Sequence, residues 1–360
     1  MRAWMISLVM LCACASAPQT PPERAAIDAH AAQWLADTGV ASFAVAFIQN
    51  GEVAWTAAYG EQSAGVPATT ETLYNVASLA KPISAETMLR LASAGEVSLD
   101  QPMSAHWVDP DLANDPRRDA LTLRVALSHR TGFPNWRRQT GGVLAFQSPP
   151  GEGFTYSGEG YQYARRYAEA ATGEGFEALA RRAVFDPIGM RHTTYTSAPW
   201  FEGHVAAPHD AQGVAGAPDI GAEPNAADDL YTTVGDYARF VRSVMRNEGV
   251  SPEIARQRLD YTLDLREGGC GGDTGLSMED CPDAVGMGMG WMSMRYGDDT
   301  VVTHSGSDAG EQTIAFYVPE RRMGVVIFTN SANGKRVFPL VAAQLYDNPR
   351  FLALLRVQAR

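Results

Sequence analysis

Lysine is almost absent from this chain. Of its 29 cationic residues only two, Lys81 and Lys335, are lysine, and the rest are arginine. Arginine keeps its proton at any useful pH, whereas a desolvated lysine can lose it, so a lone lysine indicates local chemistry that arginine cannot perform. The net charge of −12 also excludes an extended basic surface. We therefore expect no nucleic-acid partner.

Several other motifs and runs are missing as well. Beyond the N-terminus no stretch approaches the roughly 18 uninterrupted apolar residues of a membrane span. A Gly-x-Ser-x-Gly motif is absent, which argues against an α/β-hydrolase triad. His204, His209 and Asp210 lack the spacing of metal ligands on a helix. The sequence predicts neither a metal site nor another cofactor.

Residues 1–17 are predicted to be an export segment. Arg2 precedes a short apolar run over residues 3–13. Two processing sites compete, because residues 11–14 resemble a bacterial lipoprotein box with Cys14 as the lipidated residue, while residues 15–17 fit a signal peptidase site. We expect an exported protein of the bacterial periplasm or envelope, attached to the membrane through Cys14. A soluble periplasmic form remains open.

Export changes the interpretation of the other two cysteines. Cys270 and Cys281 flank a stretch rich in glycine and aspartate, and no further metal ligands are nearby. In an oxidising compartment we expect them to form a disulfide, which would stabilise the loop by up to about 3 kcal/mol.

Apolar periodicity predicts strands at both ends of the chain and helices between them. Strands are expected over 42–48, 53–59, 290–295, 300–304, 312–318 and 324–329, and terminal helices over 23–38 and 338–346. After a tether at 18–22, this pattern predicts an α+β fold with an antiparallel sheet formed from both chain ends, flanked by helices, and a large helical insertion. The α/β lobe is expected at about 23–95 and 286–360, and the helical lobe at about 96–285. A small-molecule site is expected in the cleft between them.

Ser78 and Lys81 are the first candidate catalytic pair. Residues three apart on a helix lie on one face, so the lysine amine can reach the serine hydroxyl. Pro82 is tolerated only in the first turn of a helix, which predicts that the helix begins close to Ser78. The free N–H of Ser78 could then help to hold an oxyanion. The spacing alone is a weak signal.

Two later segments complete a pattern. Residues 149–158 place Tyr156 and Ser157 on a turn-rich loop, and His304-Ser305-Gly306-Ser307 ends a predicted strand. In this order the three elements resemble those of the serine β-lactamase and D-alanyl-D-alanine carboxypeptidase family, which includes class C β-lactamases and related esterases. Residues 127–134, 232–240 and 325–330 also resemble segments of that family, and the similarity extends from about 24 to 346.

The resemblance implies a role for each of these residues. Ser78 would be the acylated nucleophile, Lys81 its base, and Tyr156 the relay of a proton to the leaving group. His304 takes the position where lactamases of the family usually carry lysine. Ser307 would supply a second oxyanion N–H, with Ser305 and Gly306 along the open edge of the strand.

Three departures from the family pattern bear on the substrate. Gly158 replaces the asparagine of the Tyr-x-Asn triplet, His304 replaces lysine, and Asp228 and Asp229 stand where relatives often carry small residues, glycine or tyrosine. If either aspartate faces the cleft it would repel a substrate carboxylate, but both could equally be solvated. We expect a small-molecule or peptide acyl substrate and favour an esterase, amidase or D-amino-acid peptidase over an efficient β-lactamase. The alternative is a catalytically silent protein that binds cell-wall fragments.

Overall fold

The computed structural model describes residues 20–266, 270–271 and 275–360. Its strands are β1 (Ser42–Gln49), β2 (Glu52–Ser63), β3 (Val66–Pro67), β4 (Tyr74–Asn75), β5 (Thr193–Thr194), β6 (Tyr231–Thr232), β7 (Ala284–Met287), β8 (Met292–Tyr296), β9 (Asp299–Ser307), β10 (Gln312–Val318) and β11 (Met323–Thr329). Its α-helices are α1 (Pro22–Thr38), α2 (Ala80–Ser93), α3 (Leu123–Leu127), α4 (Gly158–Thr172), α5 (Phe176–Ala180), α6 (Asp186–Ile188), α7 (Val234–Met245), α8 (Pro252–Gln257), α9 (Phe338–Leu345) and α10 (Pro349–Gln358).

The main sheet joins the two ends of the chain. Its strand order is β3-β2-β1-β11-β10-β9-β8-β7, with antiparallel neighbours, and β1 pairs with β11 from Phe43↔Thr329 to Ile48↔Gly324. Helices α2 to α8 lie between these two groups of strands in the sequence. The predicted α+β fold, with an antiparallel sheet built from both ends, is confirmed. The short strands β4, β6 and β5 form a second sheet.

Both faces of the main sheet are buried, and strand alternation divides the core in two. In β1, Phe43 and Val45 pack in the cluster that contains the terminal helices α1, α9 and α10. Ala44 and Ala46 face the cluster that contains α2, α4 and α7. Because successive side chains of a strand point to opposite faces, the fully apolar run of β1 serves both cores.

The structure also bears on the tether and the cysteines. Pro22 is the first residue of α1, a position that suits proline, so the predicted tether is shorter than residues 18–22. Cys270 and Cys281 are bonded to each other with their Cα atoms 5.8 Å apart. Cys14 and the predicted export segment lie outside the described residues. Within the described ranges, no helix is both long enough and apolar enough to cross a membrane.

Candidate active site

Ser78 lies where a tight turn becomes a helix. Residues Ala77–Leu79 form a 3-10 turn that continues directly into α2, and Pro82 lies in the first turn of that helix. The helix start predicted from Pro82 is therefore confirmed. Ala77 has a φ of 48°, a left-handed conformation that is uncommon for residues other than glycine. Such local strain is typical of functional turns.

Lys81 contacts Ser78 directly. Its Nζ donates a hydrogen bond to the Ser78 Oγ at 2.9 Å and another to the carbonyl of Ala227 at 2.7 Å. The lysine side chain is completely buried. Burial lowers the pKa of Lys81 to about 8, although the nearby carboxylates of Asp228 and Asp229 favour its charged form. With that pKa, about one amine in ten is neutral at pH 7 and can accept a proton.

Tyr156 also lies near the amine of Lys81. The Lys81 Nζ is 4.8 Å from the centre of the tyrosine ring. Burial raises the pKa of Tyr156, whereas a hydrogen bond with the Ser78 side chain acts in the opposite direction. The tyrosine hydroxyl therefore keeps its proton at neutral pH and lies within reach of the nucleophile.

The ring of His129 packs against the ring of Tyr156. The two rings are stacked with centroids 4.3 Å apart. His129 is completely buried, and its Nδ1 accepts a hydrogen bond from the backbone N–H of Ser157 at 3.0 Å. Burial, with Lys81 and His304 nearby, holds its pKa well below the usual value, so the ring stays neutral. No pattern in the sequence indicated that His129 stacks against Tyr156.

His304 lies on β9 beside these groups, and its ring is neutral. Its Nδ1 is 2.8 Å from the carbonyl oxygen of Ser305, which can only accept, so Nδ1 carries the proton. Burial and the charge of Lys81 lower the pKa of His304 to about 3. The Nε2 atom is thus an acceptor, and His304 offers a substrate no positive charge.

The end of β9 combines close packing with an open edge. A Cβ atom on Gly306 would lie 2.1 Å from the Val76 carbonyl oxygen, so only glycine allows β9 to approach the turn that carries Ser78. The pairing of β8 with β9 stops at Met292↔Thr303, whereas β10 pairs on the other side as far as Ser307. Among the described residues no strand covers the outer edge of 304–307. That edge is available to a substrate backbone or carbonyl group.

Three carboxylates lie next to this centre. Oxygen atoms of Asp228, Asp229 and Asp308 are all within 4.8 Å of one another. Burial raises the pKa of Asp228 to about 7, and the charge of Lys81 opposes this shift. Asp229 accepts hydrogen bonds from Asn225 at 3.1 Å and from Asn75 at 3.4 Å.

Among the described residues, these three carboxylates are the group that could hold a metal ion. Hard cations prefer oxygen ligands of this kind. Sequence analysis predicted no metal and missed this cluster. Its members come from distant parts of the chain, and no spacing motif joins Asp308 to the pair at 228 and 229.

A cavity of about 350 Å³ opens at Ser78. The polar residues of its lining are Ser78, Asn135, Tyr156, Thr303, His304, Ser305, Ser307 and Gln358. The fold therefore brings the predicted nucleophile, the tyrosine, the histidine and both strand serines to one cavity. Among the described residues that line it, none is a lysine or arginine.

Comparison with known proteins identifies the family. The model of the Beta-lactamase family matches residues 27–345. The chain belongs to the Beta-lactamase family. It is 28% identical over 270 residues to esterase EstB of Burkholderia gladioli, covering 58% of this chain and 67% of that protein. It is 23% identical over 371 residues to the D-alanyl-D-alanine-carboxypeptidase/endopeptidase AmpH of Escherichia coli strain K12, covering 92% of each chain.

The fold is shared with solved members as well. A class C β-lactamase superimposes with a TM-score of 0.74 at 17% identity, covering 91% of this chain and 96% of that one. The named relatives are an esterase, a carboxypeptidase and a β-lactamase, so the chain is a β-lactamase-fold member of a generally hydrolytic family.

One position of this Beta-lactamase-family site differs from the sequence-based expectation. Gly158 was expected to lie at the substrate, but it is buried under the ring of Trp136, where a Cβ atom would come within 2.8 Å of that ring. Its backbone N–H donates instead to the Asn135 side chain at 2.8 Å. Asn135, which sequence analysis missed, lines the cavity and presents an amide there.

Proposed function

We propose that this chain is a serine esterase that forms an acyl-enzyme on Ser78. The observation that carries the proposal is the 2.9 Å hydrogen bond between the Lys81 Nζ and the Ser78 Oγ, made by a buried lysine whose pKa is lowered to about 8. A neutral amine at that distance can accept the serine proton directly, without a histidine base.

The proposed reaction proceeds in two halves. In the first, Ser78 Oγ loses its proton to Lys81 and forms a bond to the acyl carbon, and the bond to the alcohol oxygen then breaks. The proton passes through Tyr156 to the departing alkoxide, which leaves as an alcohol. In the second half, a water oxygen forms a bond to the acyl carbon and its proton passes through Tyr156 and Lys81 to Ser78 Oγ. The bond between Oγ and the acyl carbon breaks, and the carboxylic acid leaves. The backbone N–H groups of Ser78 and Ser307 are proposed to bind the oxyanion.

Charge in and around the cavity favours a neutral ester over an acidic substrate. β-Lactams and D-alanyl-D-alanine peptides both carry a carboxylate. The described cavity lining has no lysine or arginine to pair with that group, and His304 is neutral. Asp228 and Asp229 act on the charge of Lys81, which contacts the nucleophile, and Asp308 belongs to the same carboxylate cluster. A neutral ester avoids this repulsion, and the esterase among the relatives is consistent with that assignment.

The two lysines of the chain provide a matched test of the mechanism. We expect a fluorophosphonate probe to label the wild type and the Lys335→Met variant, because Lys335 lies outside the site. Ser78→Ala and Lys81→Met should lose labelling, with their circular dichroism unchanged. A wild type that takes up neither the fluorophosphonate nor a fluorescent penicillin would favour the silent binding protein. Equal labelling of Ser78→Ala would refute the assigned nucleophile.

A substrate panel tests the ester assignment separately. We expect kcat/KM for p-nitrophenyl butyrate to exceed that for a chromogenic cephalosporin and for a D-alanyl-D-alanine peptide. Faster turnover of the cephalosporin would identify a β-lactamase instead, and faster turnover of the peptide would identify a D-amino-acid carboxypeptidase.

A further inference from the structure

One end of the cavity takes no part in the proposed proton transfers. From Ser78 the cavity passes the open edge of β9 and continues to α10. Its far lining is apolar and includes Met287, Met292, Met294, Ile314, Phe351 and Leu354.

Strand register explains how the cavity reaches this second core. Met292 is the cross-strand neighbour of Thr303, and Ile314 is the neighbour of Ser305. Directly paired residues share a face of the sheet, so these side chains lie on the face covered by α10. His304 alternates to the other face, beside Ser78. The space therefore turns around the uncovered edge of β9, from the nucleophile on one face to apolar side chains on the other.

Apolar side chains that border an open cavity favour an apolar ligand. Protein interiors pack as densely as organic crystals, and unfilled apolar volume costs the contacts that its lining residues would otherwise make. Phe351 and Met294 are well buried, yet both border the space. Three methionines contribute to the lining, and their flexible thioether side chains can adapt to a chain of variable shape.

We propose that this cavity binds the apolar chain of the ester substrate, an unbranched alkyl chain that extends from the reacting carbonyl past β9 to α10. The proposal rests on the esterase function proposed above and names the substrate class. The absence of lysine and arginine from the described lining suits an uncharged chain. Because the cavity is continuous with Ser78, its occupant belongs to the ester that Ser78 attacks and is not an unrelated ligand. The same chemistry could belong to the acyl part of the ester or to its alcohol.

Two series of esters with increasing chain length test whether the cavity binds the alkyl chain. One series uses p-nitrophenyl acetate, butyrate and octanoate, and the other uses ethyl, butyl and octyl acetate followed by pH-stat. Full burial of one methylene corresponds to about fourfold in binding, so we expect kcat/KM to rise by at least about tenfold from the shortest to the longest member of one series. The series that shows the rise identifies which part of the ester enters the cavity.

Two variants connect that rise to the cavity. Leu354→Trp fills the space, and Met292→Gln makes its wall polar with little change in volume. In each variant the ratio of kcat/KM for the longest ester to that for the shortest should fall towards one. Arg356→Trp places the same bulky ring on an exposed position of α10 and should keep the wild-type ratio.

The outcomes separate the two proposals. A wild type that hydrolyses no ester in either series refutes the esterase function. A wild type that hydrolyses the shortest esters without any gain from chain length refutes the cavity proposal alone. A gain that survives in Met292→Gln and in a folded Leu354→Trp also refutes it, because the chain would then bind elsewhere.

Discussion

Replacing Asp228 by asparagine should move the pH at which this site becomes active. The pKa of Lys81 reflects two opposing effects, since burial lowers it and the carboxylates of Asp228 and Asp229 raise it, with Asp228 the stronger of the two. Asparagine keeps the size of the side chain and removes its charge. The charged form of Lys81 then loses stabilisation while burial is unchanged, so the pKa of Lys81 must fall below about 8.

The size of the shift follows from these quantities. A charge within a few ångströms typically changes a pKa by about one unit or more. A fall of about one unit from a pKa of about 8 would raise the neutral fraction of Lys81 at pH 7 from about one-tenth to about one-half. The rate at pH 7 could then increase by up to about fivefold. The increase would be smaller to the extent that an amine of lower pKa accepts the serine proton less readily. The pH at which kcat/KM falls on the acid side of the profile, the acid limb, is therefore a clearer test of the reasoning than the size of the rate change.

The assay is kcat/KM for p-nitrophenyl butyrate, measured from about pH 5 to about pH 10. The wild type should lose activity as the pH falls through about 8, because Lys81 becomes protonated. Asp228→Asn should lose it about one unit lower. Asp298→Asn, an exposed aspartate in the turn between β8 and β9, is the matched control and should leave the profile unchanged. An acid limb that stays in place, or moves to higher pH, in Asp228→Asn would show that Lys81 is not the base.

Two further substitutions test the packing that supports the site. Glu86→Gln should lower the free energy of unfolding in urea by about 3 kcal/mol, because it leaves Arg258 buried after the loss of a 2.6 Å ion pair, whereas the exposed Glu253→Gln should be nearly neutral. Gly306→Ala should cost about 1–3 kcal/mol in the same measurement and reduce kcat/KM by at least about tenfold, because its methyl group would collide with the Val76 carbonyl and push β9 away from Ser78. A wild-type kcat/KM in Gly306→Ala would mean that this close approach is not needed.

Local patterns in the sequence predicted much of the fold. Alternating and continuous apolar runs indicated the strands that became β10 and β11, within one residue of their observed ends. The dipeptide Asn50-Gly51, which is typical of hairpin turns, joins β1 to β2. The strand Ala284–Met287 and the helix Pro349–Gln358 were not predicted. The strand is short and contains glycine, and the helix begins only after residue 346, where the predicted elements end.

The parts of the site that could be predicted are those whose residues lie close together in the sequence. Ser78 and Lys81 belong to one turn and helix, so their spacing implied contact, and the 2.9 Å hydrogen bond agrees with it. Asn135 could not be inferred in this way, because its place in the cavity depends on a contact with the start of α4, 23 residues later. The position of Asp308 beside Asp228 is likewise a product of tertiary packing, since no local motif links the two.

The charge arrangement also explains why the described part of this centre contains no arginine, although the chain is rich in it. The charge of Lys81 helps to lower the pKa of His304, and both side chains are completely buried or nearly so. Arginine at either position would keep a permanent charge, at a desolvation cost that burial makes large. Histidine at 304 avoids that cost by becoming neutral, while Asp228 offsets part of the cost for Lys81. The balance leaves one amine near its protonation midpoint at slightly alkaline pH, which is the property that a lysine base requires.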